Sequence, residues 1–239
     1  MQGLTGGATP DLLIRYRAGV NGNRDLTDIS TAPRLTFGAK GTMAGWDFDS
    51  AFLYSSSRVR EQVNDGYPIY SKILPLLNSG TVNFFGDNTP ETTAAMRATN
   101  FTGDAFSVKS TLTSLGGKVS KDMAQLSGGA LALALGAEFR REQYDFSPST
   151  ELEQGDISGY GGNIAKVDKS RSVASLFTEV AVPITKTIEL DGGFRFDKYQ
   201  GVGNSYTPKV SARWQPAKEF LVRGSVGRGF RAPSLADLY

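Results

Sequence analysis

Neither cysteine nor histidine occurs among the 239 residues. Without cysteine there is no disulfide framework, no thiolate metal site and no thiol nucleophile. Without histidine the usual general base of a Ser-His-Asp site and the commonest metal ligand are both missing. Charge of one sign is lacking too: Lys+Arg 26 against Asp+Glu 24 leaves +2, with no basic block of the kind that grips nucleic acid. Long apolar runs are absent. The longest, 129–137, is far short of the roughly 20 residues a transmembrane helix needs. The start, MQGLTGGATP, has neither the basic nor the apolar region of a signal peptide. These absences argue against an enzyme, a metal centre, a bound cofactor and a nucleic-acid partner. They leave untouched a membrane-spanning β-barrel, whose strands need only about 9–11 residues each.

What the chain has is glycine, 28 residues of it, and alternation. In 34–43, Leu35, Phe37, Ala39, Gly41 and Met43 share one face and Arg34, Thr36, Lys40 and Thr42 the other. After Ala44-Gly45 the pattern resumes with Trp46, Phe48, Phe52 and Tyr54 against Asp47, Asp49 and Ser55, which predicts a hairpin. Further strands are predicted over 104–120, 130–146, 171–182, 188–199, 206–214 and 220–230, with a weaker one at 12–20. Together these make about nine strands. In 130–140 one face carries only Leu131, Leu133, Leu135, Ala137 and Phe139, while the other is small and then charged with Glu138 and Arg140. That pairing suits lipid on one side and a lumen on the other. In 171–182 Val173 and Phe177 break the parity. Connections at 44–45, 121–127, 183–187 and 216–219 are short, whereas the links between them are mostly long, 58–103 and 147–170, with 200–205 brief. Tight periplasmic turns and long outer loops alternate in this way. Trp46, Trp214 and Phe220 fall beside short turns, where an aromatic girdle would sit.

The last segment, KEFLVRGSVGRGFRAPSLADLY, runs as a strand into a Gly-Arg-Gly-Phe-Arg-Ala-Pro stop. This ending resembles the GFRAPS-type signature of TonB-dependent outer-membrane receptors, and GAEFRRE at 136–142 resembles a GAEYRRE-type segment of the same family. The resemblance covers most of the chain and is strongest from Ala130 onward. It implies an all-β, antiparallel transmembrane barrel of about 22 strands, of which 1–239 would be a segment. The plug domain, the TonB-contacting region and the closing strands are absent from it. The resemblance further implies active transport across the Gram-negative outer membrane, with lipid, the receptor's own plug, TonB and a small ligand as partners. The ligand class most often met in the family is a ferric siderophore; cobalamin and oligosaccharide are the alternatives, and the lack of histidine disfavours haem. A passive porin or adhesin barrel is the rival class.

The loop 58–103 is the main candidate for ligand contact, through Tyr67, Tyr70, Phe84 and Phe85. Within it Thr89-Pro90-Glu91 predicts the start of a short helix reaching Ala98. A self-packed cap is the competing reading of this loop. Glu151, Glu153 and Asp156 in the second long loop read as a solvated acidic surface rather than a cation site. Arg140, Arg195, Arg213 and Arg223 are expected to face the lumen and meet the plug or cross-strand acids. Gly201-Val202-Gly203 reads as a turn, lacking the third glycine and following helix of a dinucleotide loop. Gly227, Gly229 and Pro233 read as backbone geometry.

Overall fold

Alternation of the kind seen in 34–55 can bury only one face, so it produces antiparallel ladders, and the sheet is built of them. A computed structural model describes residues 16–238. Nine strands form one antiparallel sheet: β1 (Asp25–Thr31), β2 (Arg34–Met43), β3 (Trp46–Asp65), β4 (Gly103–Leu126), β5 (Gly129–Pro148), β6 (Val167–Thr185), β7 (Ile188–Tyr199), β8 (Gly203–Ala217) and β9 (Phe220–Gly227). From β3 to β9 each strand pairs with its successor. β1 and β2 both pair with β3, being two lengths of one edge interrupted at Pro33, which has no N–H for the ladder.

The chain divides into two compact units. Unit two holds 28–60, 106–148 and 165–238, that is, nearly all of the sheet. Here the expected faces are seen. Phe37 pairs with Phe52 and Leu35 with Tyr54 on the apolar side of the first hairpin, and its turn residues Ala44 and Gly45 both have positive φ, the geometry of a type I′ turn. Four two-residue turns close one end of the sheet, at 44–45, 127–128, 186–187 and 218–219. The expected link 121–127 is therefore mostly strand: β4 continues to Leu126, with a bulge between Asp122 and Ala124 that absorbs the irregular pattern. Leu115, Leu135, Phe139, Leu176, Phe194, Tyr206, Val210 and Trp214 stand exposed on the apolar face.

The parity breaks in β6 have a cause. Val173 is fully buried on the charged face, where it pairs with Arg140 and Tyr199. Phe177 lies over Gly136, its cross-strand partner, and the Arg195 guanidinium sits 5.7 Å from its ring centre. A Cβ on residue 136 would enter the Phe177 ring. Gly136→Ala is accordingly expected to destabilise the sheet by about 1–3 kcal/mol. A lowered urea midpoint would report it, and Gly193→Ala, whose Cβ meets nothing closer than 4.0 Å, is the control.

Unit one holds 16–27, 61–105 and 149–164 among the described residues. It contains the short helices α1 (Tyr70–Leu77), α2 (Pro90–Arg97) and α3 (Thr150–Glu153), and it has a packed core. Val63, Ile69, Ile73, Val82, Met96, Phe101, Leu152 and Ile157 are all buried there. The weak strand candidate at 12–20 is not borne out in its described part. Residues 12–15 lie outside the described residues, and 16–20 lead into a 3-10 turn, Gly19–Asn21. No helix among the described residues is long and apolar enough to cross a membrane.

Candidate functional site

Two places gather chemistry, the loop cluster of unit one and the charged face of unit two. In unit one the loop after β3 is tied down by its backbone. Ile69 N–H donates to Thr99 O (2.9 Å), Phe101 N–H to Tyr67 O (2.8 Å) and Ser158 N–H to Pro68 O (2.9 Å). Asp156 accepts from the backbone N–H (2.7 Å) and hydroxyl (2.6 Å) of Ser71 at the start of α1. A carboxylate there meets unpaired helical N–H groups, so its role is structural. No cluster of acids capable of holding a metal occurs among the described residues. Helix α2 starts as expected: Thr89 is its N-cap, accepting from Thr92 N–H at 3.2 Å, with Pro90 in the first turn. The backbone N–H of Glu91 and the Thr89 hydroxyl hold the Glu91 carboxyl below its ordinary pKa. Asn21, unforeseen from sequence, is the polar hub of the unit. Fully buried, it donates to Met96 O (2.6 Å) and Asn100 Oδ1 (2.8 Å), while Asn100 donates back to Asn21 O (2.7 Å).

The four aromatic candidates have unlike positions. Tyr67 is only 7% exposed; its ring packs on Tyr160 (5.4 Å) beneath the Arg24 guanidinium (5.1 Å). Phe84 is half-buried with Tyr16 edge-on at 5.4 Å. Tyr70, at the start of α1, is exposed. Phe85 is 85% exposed at the tip of a loop whose ends are clamped reciprocally. Asn83 N–H donates to Asn88 Oδ1 (2.7 Å), and Asn88 Nδ2 to Asn83 O (3.1 Å).

The charged face of unit two is a chain of ion pairs across β5, β6 and β7. Arg195 reaches Asp197 (2.9 Å), Glu138 (3.0 Å) and the Ser175 hydroxyl (2.9 Å). Arg140 reaches Glu142 (2.9 Å), Glu138 (3.8 Å) and the Tyr199 hydroxyl (3.3 Å). Arg171, whose role sequence reasoning missed, completes the chain at 2.5 Å from Glu142. Its period-2 position on β6, in register with Glu142, was the available signal. Arg213 pairs more loosely with Glu189 (3.5 Å) and donates to Gln215. Arg223 stands directly opposite Arg213 in the β8–β9 register, with no acidic partner among the described residues. The face offers fixed cations, anions and hydroxyls.

A family model described as TonB dependent receptor-like, beta-barrel, matches residues 2–239. The chain belongs to that family. Members are transport receptors of the outer membrane, not enzymes. Among curated relatives, the probable TonB-dependent siderophore receptor PirA of Acinetobacter baumannii is 26% identical over 107 residues, covering 43% of this chain and 14% of that protein. The ferric enterobactin receptor of Pseudomonas aeruginosa is 24% identical over 199 residues, 81% of this chain and 23% of that protein. A crystal structure of a PfeA mutant, the ferric enterobactin receptor of the same organism, superimposes with a TM-score of 0.60 at 17% identity, over 89% of this chain and 27% of that chain. The likeness to PfeA shows the barrel fold. The chain spans less than a quarter of the length of these two curated relatives.

Proposed function

We propose that this chain is the wall and part of the outer loop system of an outer-membrane receptor that binds a ferric siderophore for TonB-driven import. The observation that carries the reading is the partition of the sheet, with aliphatic and aromatic side chains exposed on one face and an ion-pair chain on the other. In a lipid-spanning wall that partition puts the first face to hydrocarbon and the second to the lumen. The names of the matched relatives, siderophore and ferric enterobactin receptors, support the ligand class. The two-residue turns then mark the periplasmic end.

On this reading Phe85, Tyr70 and the open side of Phe84 are the aromatic surface presented to ligand, while Tyr67 is buried against Tyr160. Arg140 and Arg195 are saturated by wall acids. Arg213 pairs with Glu189, which of these four arginines leaves Arg223 for a plug. In the full-length receptor, Phe85→Ala is expected to weaken ferric-siderophore binding about tenfold, equivalent to roughly 1.4 kcal/mol, with the barrel's unfolding midpoint unchanged. Radioiron binding to whole cells, with and without TonB, tests both levels. Uptake that persists at the same rate without TonB would replace the receptor reading with a passive pore. TonB-dependent uptake with unaltered affinity in Phe85→Ala and Tyr70→Ala would assign the loop to a cap alone.

A further inference from the structure

Beyond Gly227 the chain leaves the ladder. Arg228 N–H makes one more bond, to Pro208 O at 2.9 Å, and from there to Leu238 no backbone bond to the sheet occurs among the described residues. The segment instead turns back across the charged face, meeting the strands in reverse order. Phe230 packs against Tyr199 of β7 with the rings tilted at 56° and their centres 5.5 Å apart. Pro233 O accepts from Arg171 of β6 at 2.8 Å. Leu235, only 7% exposed, opens the four-residue turn Leu235–Leu238, which lies against β5 and β6. That turn is closed by a reciprocal cap, with Ser234 N–H and hydroxyl donating to Asp237 at 2.9 and 2.7 Å. The GFRAPS motif, read from sequence as a strand stop, is thus a transverse element. It crosses at the end of the sheet remote from the four two-residue turns.

Arg171 is the fixing on which the others converge. Its side chain is 6% exposed, and one guanidinium serves three groups. Nε and Nη2 bind Glu142, Nη1 binds Pro233 O, and the guanidinium carbon lies over the Tyr199 ring, 5.5 Å from the centre of the ring that Phe230 also contacts. A planar five-donor fork can satisfy a carboxylate and a carbonyl at once; an ammonium cannot do so in the same geometry. Between the segment and the wall is a cleft of about 540 Å³, bordered by Ser57, Ser110, Leu112 and Tyr144 of the wall and by Leu235 and Ala236 of the segment.

We infer that residues 229–238 form a releasable strap across the charged face, with Arg171 as its latch, and that undoing the latch lifts the strap and opens the cleft. The strap is releasable because it lacks ladder bonds. Segments held only by a few side-chain contacts open at much lower cost than the strands beneath them. Any solute moving along this face passes the strap, so its state sets the width of that path. The inference uses the barrel reading for its two faces, but it does not depend on the identity of the ligand.

The test is site-directed thiol labelling of the full-length receptor in a cysteine-free background, with a water-soluble maleimide. Leu235→Cys is expected to be protected while Arg171 is intact and to label at least tenfold faster when Arg171→Ala is added. Ser225→Cys, on the same face of β9 but outside the strap, should label at one rate in both backgrounds. Glu142→Gln, which removes the carboxylate that holds the fork, is the second route and should also speed labelling of Leu235→Cys if Arg171→Ala fails to assemble. Arg171→Lys should leave Leu235→Cys faster than the parent. Equal Leu235→Cys rates in the parent and in every folded latch variant would overturn the inference. So would a parental Leu235→Cys that already labels as fast as Ser225→Cys. Ferric-siderophore binding is not the readout, so a failed siderophore assignment and a failed latch give different results.

Discussion

Leu152→Ala is expected to destabilise the loop unit by about 3 kcal/mol, within the usual 2–5 kcal/mol for a buried leucine. Leu152 is 0% exposed, and its carbonyl accepts from Gly155 N–H (3.0 Å) and Ile164 N–H (3.3 Å), so the neighbouring turn cannot easily collapse into the vacated space. Met96, also 0% exposed, belongs to the same buried set, and Met96→Ala should cost a similar amount. The measurement is amide hydrogen exchange on the full-length receptor. A loss of about 3 kcal/mol corresponds to roughly a hundredfold faster exchange through local opening. It should appear at Ile69 and Phe101, whose N–H groups bond within the unit, and not in β7 or β8. Unchanged exchange at Ile69 and Phe101 would mean that this core does not hold the loop. Phe85→Ala removes a larger side chain for almost no stability, because its ring touches water.

That contrast marks what could be read from residues alone. The sheet was legible because a half-buried strand must alternate, and the alternation in 34–55 and 130–140 is nearly unbroken. Helix α2 was legible because Thr89-Pro90-Glu91 states its own start. The core of unit one was not legible. Ile69, Ile73, Met96 and Leu152 come from segments with no shared period, and Leu152 joins them from across two strands. The depth of Tyr67 was not legible either, because aromatic type says nothing about burial. Strand β1 went unread because Asp25, Thr27 and Asp28 leave it little apolar signal before Pro33 ends the pairing. Phe177 looked like an error in the pattern until Gly136 supplied the missing fact, an empty place opposite for its ring.

Arg195 shows a different limit. Its placement on the charged face followed from parity, but its partners did not. Glu138 lies on β5 and Asp197 two residues along β7, so the bridge depends on a three-strand register that no single segment encodes. Of the two partners expected for Arg140 and Arg195, the plug or cross-strand acids, the structure supplies the acids: Glu142 and Glu138 for Arg140, Glu138 and Asp197 for Arg195.

Leu135→Arg is expected to destabilise the lipid-embedded barrel by about 2–4 kcal/mol, while Ala134→Arg, one residue earlier, should cost under about 1 kcal/mol. The two positions are neighbours on β5 and point to opposite faces. Leu135 stands exposed on the apolar side, opposite Val119 and Thr178. Ala134 points to the charged side, directly opposite Glu179, where an added guanidinium finds a carboxylate across the strands. Depth favours a large effect. At about 3.4 Å per residue, Leu135 lies roughly 20 Å along β5 from the turn, or about 15 Å along the barrel axis at the usual tilt. That is close to the middle of an apolar band about 25 Å tall. A buried arginine there must desolvate or drag water into the hydrocarbon, whereas on the other face it remains hydrated. Urea unfolding of the full-length receptor in lipid vesicles compares the two variants. Equal losses at 134 and 135 would mean that both faces meet the same solvent, and the assignment of this sheet to a membrane wall would fall with them.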